Sequence, residues 1–277
     1  MDLKMAFRSA MMRIGNPIKQ CKVGNYIIDV DTREGIQRGI YLGCYEPEET
    51  KWLQDILKPG MIVVDVGANV GYYSFIAASL VGASGLVYSF EPSNIAFDIL
   101  VANWSKNNMV INILTQNTAL GEEEGQMELF SADGLPDNTY NIHSPSFLDR
   151  EDQHYLKDGK TGTNMGFKQI TTLDKFCKDR MIDHIDFIKI DVEGMEFPVL
   201  KGMTTLLKTH SVKWLMIEYL ENVRLFSEGS ESEAMHNFLK SYDFNLEIYK
   251  TYKTNTKASY GNFLYANKLY RGDQTVH

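Results

Sequence analysis

The sequence predicts an open α/β fold in one large domain with additions, and three observations predict it. The β-branched run Val63-Val64-Asp65-Val66 breaks at a glycine-containing turn and passes directly into an apolar stretch at helical spacing, which reads as strand, tight turn and helix. Further strand-like runs at 85–91, 111–119, 185–191 and 212–219 alternate with helical stretches, the pattern of successive βαβ units. With 277 residues, 44% of them hydrophobic and 23% charged, the chain is long enough to bury a substantial core.

Bulk properties narrow the function. A net charge of −8 gives no overall attraction to nucleic acid or anionic lipid, so no nucleic-acid partner is expected. Cys21, Cys44 and Cys177 are widely spaced and form no C-x-x-C pair, so free thiols in a reducing, cytoplasmic setting are expected rather than disulfides or a zinc site. There is no run of 18 apolar residues, hence no expected membrane span. Arg8 and Arg13 interrupt the methionine-rich start, which reads as a short amphipathic helix. Residues 1–42 form an extension that serves as a lid or as a contact to a second copy, and the main domain is expected over 43–270.

Within the extension, Tyr26–Val30 is the best strand candidate. A helix introduced by Gly43–Glu49 follows and ends near Pro59-Gly60. Tyr45 and Glu46 are candidates to line a pocket, while Glu46, Glu48 and Glu49 also suit a helix N-terminus through its dipole. The turn after Val66 is the chemical centre. Gly67 and Gly71 permit positive φ and close approach of a ligand, and Asp65 stands at a strand end, where open α/β sheets bind ligands. A dinucleotide fingerprint in this register needs glycines at 67, 69 and 72, but the chain has Asn69 and Tyr72, which counts against NAD. A carboxylate here suits the ammonium group of S-adenosylmethionine instead.

A helix over 71–82 leads to the second strand, Gly85–Pro92. Glu91, at its end, stands where an acidic side chain accepts hydrogen bonds from both hydroxyls of a ribose. Pro92 stops this strand, and Ser93 caps a helix running to about Lys106. The third strand exits through Asn117–Gly121, placing Asn117 and the backbone near Ala119 at an adenine edge. A β-hairpin excursion is expected near 119–130. Residues 131–168 lack periodicity and read as a substrate-side insertion or a surface loop, with Tyr140, His143, His154 and Tyr155 in it.

Thr171 or Thr172 caps the next helix. In the fourth strand Phe187, Ile188, Ile190 and Val192 fill the core, while Lys189, Asp191 and Glu193 alternate toward one side. A helix over 195–209, a fifth strand ending at Glu218-Tyr219, a helix near 231–241 and strands around Phe244–Lys250 and Asn262–Ala266 bring the strand count to seven. The tail 271–277 is expected to fray.

The blocks Asp65–Ser74, Phe90-Glu91-Pro92, Asn117–Gly121 and Ile188–Glu196 occur together and in order, and the chain resembles an FkbM-type class I methyltransferase over about residues 43–220. The resemblance implies a Rossmann-like, doubly wound, mostly parallel sheet of seven strands in the order 3-2-1-4-5-7-6, with the last strand antiparallel, and S-adenosylmethionine as methyl donor. It implies that Asp65, Gly67, Asn69 and Gly71 surround the methionine end, Glu91 the ribose and Asn117 the adenine. Ala68, Tyr72, Tyr73, Ser74, Pro92, Thr118 and Ala119 would also belong to the cofactor site. Asp191 would contribute to the cofactor site and, with Glu193, face the transferred methyl. Residues 1–40 and 131–168 lie outside these motifs and are expected to decide the substrate.

The implied activity is O-methylation of a hydroxyl on a sugar, glycan or natural-product small molecule. A hydroxyl must be aligned with the methyl and lose its proton as it attacks, so a base is required. Asp191 comes first, then Glu193, then Glu218, with His143 and His154 in reserve. Asp191, Glu193, Glu196 and Glu218 could alternatively gather a divalent metal, which the sequence permits and does not require. The alternatives are N-methylation, a non-catalytic cofactor-binding module and an NAD-dependent oxidoreductase.

Overall fold

The computed structural model describes residues 15–131, 139–140, 163–221, 228–253 and 259–270. An antiparallel ribbon of β1 (Ile18–Val23) and β2 (Tyr26–Asp31) leads to α1 (Gly35–Leu42) and α2 (Pro47–Ile56). Next come β3 (Ile62–Val66), α3 (Tyr72–Val81), β4 (Leu86–Phe90), α4 (Asn94–Lys106) and β5 (Ile113–Gln116). An excursion of β6 (Ala119–Leu120), β7 (Gly125–Ser131), β8 (Thr139–Tyr140) and β9 (Thr163–Thr171) precedes α5 (Leu173–Arg180) and β10 (Ile185–Ile190). The chain continues through α6 (Glu196–Lys201), α7 (Thr204–Lys208), β11 (Val212–Glu221), α8 (Glu231–Ser241), β12 (Phe244–Lys253) and β13 (Ser259–Asn267).

The main sheet runs β12-β13-β11-β10-β3-β4-β5. Numbering its strands along the chain gives 3-2-1-4-5-7-6, and the seventh is antiparallel to both neighbours, as the resemblance implies. Alternate residues of each strand feed opposite faces. Val63, Val87 and Phe187 pack with α1–α4, whereas Val64, Val66, Phe90, Ile188 and Ile190 pack with α5–α8. The strand order reverses between β3 and β10, and Val66 pairs with both Phe90 and Ile190, so three strand ends finish level there. This is the switch point at which open α/β sheets leave a crevice.

Several elements differ from the sequence expectation. β6 and β7 do not form a hairpin: β9 lies between them, parallel to β6 and antiparallel to β7, and Ile170 registers with both Ala119 and Gly125. The end of the aperiodic 131–168 stretch is therefore strand. Residues Gly35–Leu42, for which the sequence suggested no element, are helical. The expected helix 195–209 is two helices, because the chain at Gly202 meets another backbone. A Cβ there would stand 1.9 Å from the Gly121 carbonyl oxygen. The Gly202 carbonyl accepts from the Asp174 amide at 3.1 Å, and the Asp174 carboxylate caps α7 through the amides of Thr205 (2.7 Å) and Leu206 (2.9 Å). Thr172, not Thr171, caps α5.

The extension is tied to the body by side-chain amides. Asn103 accepts from the Asp29 amide at 2.7 Å, Asn107 from the Ile27 amide at 3.0 Å, and Lys106 pairs with Asp29 at 2.5 Å. Among the described residues no helix is long and apolar enough to cross a membrane, and Cys21, Cys44 and Cys177 are free thiols. The methionine-rich start, the tail 271–277, and the side chains of Tyr140, His143, His154 and Tyr155 lie outside what is described.

Candidate active site

The switch-point crevice encloses about 1000 Å³, part of it open to solvent. Its floor is the turn after β3. The amides of Gly67 and Ala68 donate to the Phe90 carbonyl at 3.0 and 2.9 Å, and the Asp191 amide donates to the Val66 carbonyl at 3.0 Å. These bonds stitch the three strand ends together. Gly67 has φ of +81°, and a Cβ on it would fall 1.8 Å from the Asp191 carbonyl oxygen, so only glycine fits there.

Glu91 follows β4 and is 7% exposed. One carboxylate oxygen accepts from the Asn69 amide and the other from the Ser93 amide, each at 2.8 Å. Burial nevertheless pushes this carboxyl up to about 7. Asn117 stands beside it and donates to the carbonyls of Glu91 at 2.9 Å and Pro92 at 3.4 Å.

Carboxyl groups gather around one ammonium at the exit of β10. Lys189, 4% exposed, donates to Asp191 Oδ2 at 2.8 Å and stands 4.8 Å from the centre of the Tyr73 ring. Burial works against its charge, but Asp191, Asp65 and Glu46 outweigh burial and hold it more firmly protonated. Burial, and then the neighbouring Asp191, Glu193 and Glu46, drive the carboxyl of Glu218, from β11, well above the usual range. Glu46 accepts from the Tyr73 hydroxyl at 2.5 Å and from Asn262 at 3.2 Å, and is pushed up to about 7 by burial and then by Asp191. Glu193 adopts φ of +55° in the sharp turn after β10. That turn is held by Glu196, whose Oε1 accepts from the amides of Val192 at 3.0 Å and Gly194 at 3.1 Å.

Of the residues expected in the site, Gly67, Ala68, Asn69, Tyr72, Tyr73, Glu91, Pro92, Thr118, Ala119, Asp191 and Glu193 line the crevice. Asp65, Gly71, Ser74, Asn117 and Glu218 are not among the residues that line it. Asp65 is 1% exposed: Oδ2 accepts from the Ser74 hydroxyl at 2.6 Å, Ser74 meets Ser89 at 2.7 Å, and Oδ1 has no hydrogen-bond partner among the described residues. Burial raises its carboxyl as well. Tyr45 also lines the crevice, as expected.

Ile36 and Ile40 of α1, and Met127 and Leu129 of β7, supply apolar wall that the sequence reading did not assign. The four-residue spacing of the first pair and the alternation of the second were the available signals. Among the described residues no group of three or more His, Cys, Asp or Glu side chains is arranged to hold a metal ion. Of the carboxylates expected as its ligands, Asp191 pairs with Lys189 and Glu196 is taken up by the amides of Val192 and Gly194.

The profile of the Methyltransferase FkbM domain matches residues 65–246. Methyltransferase sdnD of Sordaria araneosa is 26% identical over 51% of this chain and 60% of its own length. Hexuronic acid methyltransferase AglP of Haloferax volcanii is 24% identical over 66% of this chain and 68% of its own. The match thus spans less than two thirds of the first relative and about two thirds of the second. In fold, the chain is similar to the P. horikoshii TYW2 crystallised with MeSAdo, with a TM-score of 0.50 and 13% identity, over 95% of this chain and 83% of that one.

Proposed function

The chain belongs to the FkbM methyltransferase family, and from that premise we propose that it is an S-adenosylmethionine-dependent O-methyltransferase acting on a hydroxyl of a sugar, glycan or natural-product small molecule. The observation that carries this reading is the presence, in one crevice, of Glu91 fixed by two backbone amides and of Asp191 bonded to Lys189. The name of the Haloferax volcanii relative, a hexuronic acid methyltransferase, agrees with a sugar acceptor.

The residues fit the cofactor. Glu91 has both carboxylate oxygens oriented by amides and remains in the crevice wall, where it can accept hydrogen bonds from the ribose hydroxyls. Gly67 and Ala68 present little bulk beside it, and the Asp65 carboxyl lies below the turn. When bound, S-adenosylmethionine supplies an electrophilic methyl group. The protein's part is to align the acceptor oxygen and to remove its proton. Asp191 takes that proton, held in place by the Lys189 ammonium on Oδ2. Glu193, beside it in the wall, orients the acceptor hydroxyl.

Parallel calorimetric titration with S-adenosylmethionine, S-adenosylhomocysteine and NAD tests the cofactor, followed by labelled-methyl transfer to a panel of sugars and hydroxylated metabolites. Micromolar binding of both adenosyl ligands and not of NAD is expected. Binding of NAD alone would overturn the reading, and binding without transfer to any oxygen or nitrogen nucleophile would reduce it to a cofactor-binding module.

A further inference from the structure

Lys168 lies on β9, outside both the main sheet and the crevice wall, and is 7% exposed. Its ammonium donates to the side-chain oxygens of Asn94 and of Asn117, the latter at 3.3 Å. Asn117 in turn donates to the carbonyls of Glu91 and Pro92. One residue on, the Thr118 hydroxyl donates to the Gln169 carbonyl at 2.9 Å. Strand β9 therefore grips two consecutive residues of the third strand exit and, through Asn117, the backbone that carries Glu91.

A buried ammonium with amide oxygens as its hydrogen-bond partners is a costly way to join two loops. A neutral donor or an apolar contact would pack β9 against them at less expense. The charge is better explained by what stands next to it. Burial disfavours the charged form of Lys168, and the carboxylates of Glu91 and Asp98 act against that. Asn117 has its side-chain oxygen and nitrogen engaged with protein groups, and through them it holds the Glu91–Pro92 exit.

We propose that Lys168 is a positioning residue for the nucleoside half of the cofactor, acting through Asn117 on the placement of Glu91. This rests on the S-adenosylmethionine reading above. It predicts that the excursion sheet is part of the cofactor site even though, among the described residues, only Met127, Leu129, Ala119 and Leu120 of its strands reach the crevice.

The test is calorimetry on the full chain with S-adenosylmethionine, S-adenosylhomocysteine and methylthioadenosine, which retains the nucleoside and lacks the amino acid. Lys168→Met should weaken all three by a similar factor, about tenfold for the loss of a charged hydrogen bond. Lys168→Arg should restore most of it. In a Glu91→Ala background the same Lys168→Met change should add little, because the group it positions is gone; a purely structural lysine would weaken binding equally in both backgrounds. Asn117→Leu breaks the same link from the other side and should reproduce the loss should Lys168→Met not fold. Unchanged affinities in Lys168→Met or Asn117→Leu, or losses that multiply with Glu91→Ala, would overturn the proposal. Failure of the unaltered protein to bind any adenosyl ligand would instead overturn the cofactor reading and this inference with it.

Discussion

The ammonium of Lys189 donates to Oδ2 of Asp191 at 2.8 Å, and the Glu218 carboxyl neighbours the same Asp191. Burial, with Asp191 and the other surrounding acids, favours the protonated form of Glu218. Asp191 thus has an ammonium on Oδ2 and a neighbouring acid able to donate to it. Glu218→Gln, which keeps a donor, should retain turnover within about threefold, and Glu218→Ala should lose more than Glu218→Gln. Asp191→Asn should lower turnover by about 100-fold or more, the usual range for a missing general base, with cofactor affinity less affected. Steady-state kinetics on the three variants checks this, and intact turnover in Asp191→Asn would remove the base assignment.

Glu91→Ala should weaken S-adenosylmethionine by about 10- to 100-fold, the equivalent of about 1.5 to 3 kcal/mol for hydrogen bonds to a charged group. The carboxyl stands near 7 in the free protein. Below that pH it holds its proton and accepts hydrogen bonds less strongly, so affinity should fall as pH drops through about 7 and level off above it. Titrations at several pH values should show this slope in the unaltered protein and not in Glu91→Gln. An equal slope in both would assign the pH dependence elsewhere.

The sequence disclosed what is local and hid what is assembled from distant segments. The strand–turn–helix around Gly67 and the strand ending at Asp191 are each written in consecutive residues, and both were legible. So was the place of Glu91 at the end of the next strand, because its distance from the turn is set by one intervening helix. Asp65 was harder, although the signal was there: period-two alternation puts it on the face of Val63, which the α3 side covers, and the Ser74 hydroxyl of that helix meets it. Strand β9 escaped notice because Gly166, the exposed Phe167 and Lys168 show no apolar alternation; its place is fixed by pairing with β6 and β7. The convergence of Glu46, Lys189 and Glu218 follows from strand order, which no local pattern records.

Glu196 links the site to stability. Burial pushes its carboxyl up to about 8, from an ordinary 4.5, against the amide bonds from Gly194 and Val192 that oppose the shift. The folded protein therefore keeps this proton over a range in which the unfolded chain has released it. Stability from this group must fall as pH rises from about 4.5 to about 8 and be flat beyond. Glu46 and Glu91, at about 7, act with the same sign over a shorter window. Glu196→Gln keeps an oxygen for the two amides and has no proton to lose, so its thermal midpoint should decline less between pH 5 and pH 9 and overtake the parent at the alkaline end. Parallel slopes in thermal melts of the two proteins would refute the assignment.

Gly67 offers the sharpest structural test, because its surroundings leave a side chain nowhere to go. A Cβ at this position would be 1.8 Å from the Asp191 carbonyl oxygen and 2.9 Å from its carbon, both backbone atoms tied to the ends of neighbouring strands. Relief requires β3 and β10 to part where the crevice floor is stitched, and the positive φ adds its own strain for any L side chain. Gly67→Ala should cost about 3 kcal/mol or more in stability and remove measurable cofactor binding. Gly125→Ala is the matched control, since a Cβ there meets nothing within 4 Å, and it should leave both properties close to those of the parent. Chemical denaturation and calorimetry on the pair measure the contrast. A stable, cofactor-binding Gly67→Ala protein would mean that the strand ends are not held as tightly as the three backbone bonds across them imply.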